Sequence, residues 1–138
     1  MIHLRIPGKP QAKQRARVGK WGGYTPKPTA DAEAHIQAIA MAAGIDRMEG
    51  PLTMICKFVY APPKSWSKRK RQDAMGTWKT TKPDKDNLEK LVCDALNGIA
   101  YKDDAQLVAS KVTKFYGQED ATYILIQSAP DRVPMEAI

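Results

Sequence analysis

The sequence contains few of the residues on which disulfide scaffolds, zinc sites and many nucleophilic enzymes depend: it has two cysteines and two histidines among 138 residues. Cys56 and Cys93 each lie in an apolar stretch, form no C-x-x-C pair and have no histidine at metal-ligand spacing. We interpret both as small buried hydrophobic residues. His3 and His35 are isolated, so a Ser-His-Asp or Cys-His catalytic arrangement has little material in this chain.

A long hydrophobic run is also absent from the sequence. No stretch approaches the roughly 20 apolar residues that span a bilayer, and the first ten residues, MIHLRIPGKP, contain no signal-peptide core. We therefore expect a cytoplasmic protein that does not span a membrane. Hydrophobic residues make up 43% of the chain and charged residues 27%, which is typical of a globular protein. The length predicts a single domain over residues 1–138, of which 129–138 form a loose tail.

Basic residues outnumber acidic ones, 22 to 15, and they are unevenly distributed. Residues 1–30 carry +7 and residues 61–82 carry +6, whereas residues 83–106 carry −3. The two basic segments favour a polyanionic partner, either nucleic acid or an anionic membrane surface. An acidic cluster repels phosphates unless a cation lies between them, so a divalent metal is the expected mediator. The alternative is that each charge run is a solvated face.

Hydrophobic periodicity predicts an α+β fold: a single small domain with a mixed β-sheet of about four strands packed against two main helices. The predicted elements are a strand at 2–6, a polar loop from 7 to 28, a helix from Thr29 or Asp31 to Ala43, a strand at 52–60, a short basic helix after Ser65 or Ser67, a helix from Asp86 to Asn97, and strands at 107–116 and 121–127 joined as a hairpin.

The helix predicted from Asp86 to Asn97 carries the candidate site. Its Leu and Val residues form one stripe, which leaves Asp86, Lys90 and Asp94 on the opposite side. Asp84 lies just before the first turn, and the Asp103-Asp104 pair reaches the same place if the chain turns back along the helix. Gathered carboxylates are the hard oxygen ligands that Mg²⁺ selects. In the purely structural alternative, the aspartates cap helices and turns, and Lys90 pairs with Asp86 or Asp94.

Two stretches of the sequence resemble a known family. KPDKDNLEKLVCDALNGIAYKDDAQL closely resembles the signature of the RusA family of Holliday junction resolvases, endodeoxyribonucleases often encoded by phages and prophages. KPQAKQRARVGKWGGYTPKPT is similar to the basic segment that many members carry before their first helix. Together the two stretches cover about a third of the chain.

The resemblance implies a homodimeric crossover junction endodeoxyribonuclease of the host cytosol or nucleoid, acting in DNA recombination and repair. Such an enzyme depends on Mg²⁺, with Mn²⁺ as a substitute, and introduces paired nicks across four-way DNA junctions, with no membrane partner and no small-molecule substrate. The family's metal ligands match Asp84, Asp86 and Asp104, with Asp103 as an alternative to Asp104. The essential lysine matches Lys90, and Asp94 is assigned to support of the site.

Basic residues in both positive segments are the predicted DNA contacts. They are Lys13, Arg15, Arg17 and Lys20 in the first segment, and Lys68, Arg69, Lys70 and Arg71 in the second. The stretch around 65–78 is additional to the shortest family members. Trp21 and Tyr24 either stack on unpaired bases or pack in the core.

Two rival functions fit the same residues. The first is a metal-dependent nuclease of the same fold that acts on forks, flaps or plain duplex. The second is a catalytically inactive DNA-binding or assembly protein.

Overall fold

A mixed sheet of four strands carries the two long helices on one of its faces. A computed structural model describes residues 1–137, so Ile138, the last residue of the predicted tail, lies outside the described residues. The elements in chain order are β1 (Ile2–Pro7), β2 (Arg17–Gly19), β3 (Gly22–Tyr24), α1 (Lys27–Ala42), β4 (Leu52–Tyr60), α2 (Lys68–Ala74), α3 (Lys85–Leu96), β5 (Leu107–Tyr116) and β6 (Ala121–Ser128), with single 3₁₀ turns at Asp104–Gln106 and Met135–Ala137.

The strand order of the sheet is β1-β6-β4-β5. β6 is antiparallel to both β1 and β4, whereas β4 and β5 are parallel. A parallel pair requires a long crossover connection, and here it contains both α2 and α3. The α+β class with a mixed four-stranded sheet is therefore confirmed.

The predicted hairpin of β5 and β6 is wrong. The connection at 117–120 carries the chain across the end of β4, where the Gly117 N–H donates to the carbonyl oxygen of Tyr60 (2.9 Å), and β6 then runs between β1 and β4. Burial explains this placement: Ile124 and Ile126 of β6 are fully buried, as suits a central strand, whereas residues 108–111 of β5 are exposed, as suits an edge.

Helices α1 and α3 pack against each other, and they also contact β1 and β5 respectively. The predicted apolar stripe of α3 is confirmed, and its buried members are Leu88, Leu91, Val92, Ala95 and Leu96. They face side chains from the sheet that include Leu4, Met54, Cys56, Phe58, Ile124 and Ile126. Within residues 1–137, no helix has the length and apolar character required to cross a lipid bilayer.

Helix α1 begins at Lys27, a little before the predicted caps Thr29 and Asp31. Pro28 occupies the first turn, where its missing N–H costs nothing. The Thr29 hydroxyl does not cap the helix; it accepts a hydrogen bond from the backbone N–H of Gln14 at 3.0 Å. This contact ties the preceding loop to α1.

The segment predicted as a continuous loop between 7 and 28 contains a small antiparallel hairpin. Strands β2 and β3 pair through Arg17↔Tyr24, Val18↔Gly23 and Gly19↔Gly22, around a turn at Lys20 and Trp21. Gly22 has a φ of 112°, which favours glycine. Both strands are exposed along their length, so they have no alternation of buried and exposed residues that a sequence pattern would reveal.

The buried stripe of α3 predicts a large cost for Leu88→Ala. Leu88 is fully buried, so the substitution removes buried methyl groups and leaves a cavity. We expect a loss of about 2–5 kcal/mol in the free energy of unfolding, measured by urea denaturation. The control is Met41→Ala in α1, whose side chain is 69% exposed, and a comparable loss in both variants would contradict this account.

Candidate metal centre and nucleic-acid interface

The N-terminal end of α3 presents two carboxylates to solvent. Asp84 occupies the N-cap position but makes no side-chain capping hydrogen bond. Asp86 lies in the first turn, where a negative charge is favourable. Its side chain is 85% exposed, and its Oδ1 accepts a hydrogen bond from the neighbouring Lys85 Nζ at 3.2 Å. The structural alternative, in which Asp84 caps the helix through its side chain, is therefore not realised.

Lys90 lies one turn after Asp86 on the exposed side of α3. The structural alternative pairs it with Asp86 or Asp94, yet among residues 1–137 no salt bridge involves Lys90. Asp94 instead forms an ion pair with Lys13. In the described chain, no salt bridge therefore fixes the ammonium group of Lys90, which belongs to the exposed side of α3.

The loop that delivers Asp84 to the helix is anchored by a strand residue. Lys114 of β5 donates from Nζ to the carbonyl oxygens of Thr81 (2.6 Å) and Pro83 (2.7 Å). The backbone N–H of Lys79 also donates to the Lys114 carbonyl oxygen at 3.0 Å. Lys114 thus sets where the chain enters α3, a role that its sequence context does not reveal.

Asp103 and Asp104 have different surroundings. The Asp103 carboxylate accepts a hydrogen bond from the Ala105 N–H (2.9 Å) in a capping box with Gln106, and this bond lowers its pKa. The backbone N–H of Asp104 donates to Asn97 Oδ1 at 2.8 Å, which holds the residue against the end of α3. Since Asp103 already serves the turn, Asp104 is the better candidate ligand.

Gln106 fixes the turn that carries this pair. Its Oε1 accepts hydrogen bonds from the backbone N–H groups of Lys102 (2.9 Å) and Asp103 (3.2 Å). Its Nε2 donates to the carbonyl oxygens of Met48 (3.2 Å) and Gly50 (3.0 Å), just before β4. One amide side chain therefore links the acidic turn to the sheet.

Asp104 shares a surface recess of about 360 Å³ with Glu89 and Cys93 of α3. Partial burial, hydrogen bonding and repulsion from Asp103, and repulsion from Asp94 raise the pKa of Asp104.

Burial, together with nearby carboxylates, raises the pKa of Cys93 to about 12, so this thiol stays protonated and is a poor nucleophile. The interpretation of Cys93 as a small hydrophobic residue fits a half-buried position packed against the core. Glu89 was not singled out from the sequence, since its spacing alone does not distinguish it from an ordinary surface glutamate.

The candidate metal ligands are spread along α3, from Asp84 and Asp86 at its N-terminal end to Asp104 beside its C-terminal end. Asp86 and Cys93, which neighbours Asp104, are about 10 Å apart along the helix axis at 1.5 Å per residue. Within residues 1–137, no group of three or more His, Cys, Asp or Glu side chains is close enough to hold one ion. The donor chemistry fits Mg²⁺ nonetheless, because the oxygens are carboxylates. Partial burial first, and then hydrogen bonding and repulsion from Asp103, raise the pKa of Asp104, and a nearby cation would offset the repulsion.

Lys13 joins the basic N-terminal segment to both long helices. Its Nζ contacts Glu33 Oε1 of α1 at 2.5 Å and Asp94 Oδ2 of α3 at 3.0 Å, and its side chain is 23% exposed. Burial lowers the pKa of Lys13, but the hydrogen bonds and charges of Glu33 and Asp94 outweigh it and raise the pKa above its usual value. The Lys13 N–H also donates to the Asn87 carbonyl oxygen at 2.9 Å. Because these ion pairs already account for Lys13, we base the predicted DNA contacts of this segment on its neighbours.

The hairpin that follows Lys13 is fully exposed and basic. Arg15, Arg17 and Lys20 lie on it or just before it, close in sequence to the contact with the first turn of α3. Trp21, at the hairpin tip, is 92% exposed, and Lys20 Nζ lies 5.4 Å from the centre of its ring. Core packing is thereby excluded for Trp21, and stacking on bases stays a prediction.

The second basic segment forms α2, where the four predicted cations are all exposed. The helix begins after Ser67, whose hydroxyl accepts a hydrogen bond from the Lys70 N–H at 3.1 Å. Trp66 attaches this segment to the domain, because its ring packs against Tyr116 with centroids 5.6 Å apart, and Lys70 Nζ lies 4.2 Å from the Trp66 ring. The predicted DNA contacts here, Lys68, Arg69, Lys70 and Arg71, therefore share one solvent-facing helix.

The domain is α+β, and it combines a helix that bears exposed carboxylates with two exposed basic segments. The family model described as "Endodeoxyribonuclease RusA" matches residues 7–127, so the chain belongs to the RusA family and is an endodeoxyribonuclease. A relative from Bacillus subtilis (strain 168), "Uncharacterized protein YqaN", is 39% identical over an alignment of 136 positions, and the match covers 91% of this chain and 95% of that protein.

The ion pairs of Lys13 predict that Lys13→Met will loosen the basic hairpin. The substitution leaves the half-buried carboxylates of Glu33 and Asp94 unpaired, which should lower the free energy of unfolding by about 1–3 kcal/mol. Trypsin should also cleave faster after Arg15 and Arg17. The control is Lys27→Met, whose side chain is 85% exposed and pairs only within α1; we expect a change within about 0.5 kcal/mol. Unaltered cleavage in Lys13→Met would mean that these pairs do not hold the segment.

Proposed function

We propose that this protein is an Mg²⁺-dependent endodeoxyribonuclease that resolves four-way DNA junctions by paired symmetric nicks. Membership of the family supports the nuclease activity. The observation that carries the proposal is the attachment of the basic N-terminal segment to α3 through Lys13, with Nζ 3.0 Å from Asp94 and the backbone N–H 2.9 Å from the Asn87 carbonyl oxygen. It supports the proposal because the residues that follow Lys13, which are the proposed phosphate contacts, start from the first turn of α3, where Asp86 lies.

Asp84, Asp86 and Asp104 are the proposed metal ligands. Mg²⁺ held by these residues would lower the pKa of a water molecule and would neutralise the charge that develops on the phosphoryl oxygens. The chain itself presents Asp84 without a side-chain cap, positions its loop through Lys114 and holds Asp104 through Asn97. In the hydrolysis, water adds to phosphorus and the bond to one ester oxygen breaks.

Lys90 is the proposed source of positive charge at the reacting phosphate. It lies one turn from Asp86 on the exposed face of α3, so its flexible side chain can reach a phosphate placed between the two. There its ammonium group would stabilise negative charge on the leaving oxygen.

The symmetry of the substrate supports a homodimer. A four-way junction is close to two-fold symmetric, and clean resolution requires two cuts at equivalent positions. A single 15.3 kDa chain with one carboxylate-bearing α3 offers one such site. A two-fold dimer presents two identical sites at a fixed spacing.

The direct test is cleavage of synthetic four-way junctions, forks, flaps and linear duplex side by side, with Mg²⁺ and with chelator. We expect cleavage of the junction in Mg²⁺, in paired positions on opposing strands, and none in chelator. Equal rates on all four substrates would instead support a nuclease of broader structure preference. Junction binding without cleavage in either Mg²⁺ or Mn²⁺ would support the inactive DNA-binding protein.

Asp86→Asn should abolish cutting and preserve binding. Loss of outer ligands costs about 10–100-fold in metal sites, so loss of a direct ligand should lower the nicking rate by at least about 100-fold. Affinity for the junction, measured in chelator, should be unchanged or higher because one negative charge is removed. Asp46→Asn, at an exposed position after α1, is the matched control. Normal nicking by Asp86→Asn would remove this aspartate from the site.

Arg15→Gln/Arg17→Gln should weaken DNA binding and its salt dependence. The slope of log K against log salt is negative, and each lost phosphate contact on duplex DNA reduces its magnitude by about 0.9, so the pair should reduce it by about 1.8. The control is Lys57→Gln/Lys111→Gln, which removes the same charge from the sheet face opposite α1 and α3, where Lys57 lines a recess with Ile55 and Lys111 is the neighbour of Ile55 in register. An unaltered slope in the arginine variant would show that the hairpin does not contact the DNA backbone.

A further inference from the structure

A recess of about 270 Å³ lies where the two basic segments of the chain meet. Its walls include Tyr60 and Tyr116, the last residues of the parallel strands β4 and β5. Lys9 enters it from the N-terminal basic segment, whereas Lys64 and Lys79 enter it from the segment around α2. The sequence places these lysines up to 70 positions apart, and the fold brings them to one depression.

The charge of this recess is positive. Three lysines line it, against a single carboxylate, Asp120, whose Oδ1 already accepts a hydrogen bond from the Ala61 N–H at 2.8 Å. Lys9 and Lys64 are exposed, and among residues 1–137 neither takes part in a salt bridge. An anion entering the recess would therefore find ammonium groups with no competing partner in the described chain.

Lys79 determines which chemistry the recess can offer. Its Nζ lies 5.0 Å from the ring centre of Tyr60 and 5.5 Å from that of Tyr116, and it donates to Thr81 Oγ1 at 2.8 Å. The ammonium group lies over both rings, so these faces are not available for a stacked base. Lysine is a point-charge donor suited to phosphate oxygens. A phosphate group therefore fits this recess better than a nucleobase does.

We propose that Lys9, Lys64 and Lys79 bind a backbone phosphate of the DNA strand, at a site separate from the carboxylates of α3. This inference rests on the proposed function, in that it assumes a DNA substrate, and it adds contacts outside the hairpin and α2. It also assigns a function to the place where the two basic segments meet, because the three lysines come from both segments.

Chain geometry limits how far this phosphate lies from the cleavage site. The backbone N–H of Lys13 is 2.9 Å from the Asn87 carbonyl oxygen in the first turn of α3. Lys9 and Lys13 are four positions apart, and their Cα atoms can be at most about 14 Å from each other in an extended chain. At about 3.4 Å per base-pair step, the bound phosphate lies within several nucleotides of the one at Asp84 and Asp86. One strand can thus occupy both places.

The test is the salt dependence of junction binding, measured in chelator for the wild-type protein and for Lys9→Gln/Lys64→Gln. Lys79 is left unchanged because it packs on two tyrosine rings. Loss of one phosphate contact should reduce the magnitude of the slope of log K against log salt by about 0.9. The control Lys57→Gln/Lys111→Gln removes the same charge from the opposite sheet face and should change the slope by less than half of that.

Each outcome bears on the proposal in a definite way. A reduced slope in Lys9→Gln/Lys64→Gln alone supports it. An unchanged slope in that variant, or an equal decrease in both variants, overturns it while the proposed nuclease function stands, provided that the wild-type protein cleaves junctions. A wild-type protein that neither binds nor cleaves junction DNA overturns the proposed function itself.

Discussion

Burial of one face of α3 is the constraint from which the site follows. Leu88, Leu91 and Leu96 are fully or almost fully enclosed between the sheet and α1, so the helix cannot rotate without exposing them to water. At 100° per residue, this fixes Asp86 and Lys90 on the solvent side. Hydrophobic packing of the buried face of α3 therefore determines which side chains the exposed face presents.

Polar side chains fix the segments that surround α3. Lys114 holds the loop before α3 through two carbonyl oxygens, and Gln106 holds the turn after it through contacts on both sides of its amide. Lys13 holds the basic segment between Glu33 and Asp94. Each of these side chains connects segments that are distant in sequence, and together they convert one amphipathic helix into a surface where acids and cations lie side by side.

The parts of this structure that sequence patterns predict are those governed by local periodicity. The stripe of α3 and the alternation of Ile2, Leu4 and Ile6 repeat over several turns or residues, so the elements they define were predicted to within a few positions. The strands that pair with β6 were not predicted. Proximity along the chain favours β5 as a partner, whereas the burial of Ile124 on a central strand depends on the whole sheet.

The candidate site divides in the same way. Its acids and Lys90 belong to one contiguous stretch, α3 and the turn that follows it, which makes them recognisable from sequence. The anchors do not share this property: Lys114 and Pro83 are 31 residues apart, and Gln106 and Met48 are 58 apart, so no local pattern links them. The separation of Asp103, as a turn cap, from Asp104 also depends on hydrogen bonds that only the folded chain defines.

The parallel pairing of β4 and β5 has a consequence for how such a protein can vary. Both α2 and α3 lie within one excursion that leaves the sheet at Tyr60 and returns to it at Leu107. Trp66 packs on Tyr116, and residues 76–81 are hydrogen-bonded to β5. Because α3 is locked by its own apolar stripe, residues 67–73 between these anchors can lengthen, shorten or change charge without moving the carboxylates or the strand register. The surface that this connection offers to a substrate can thus change while the carboxylates stay in place.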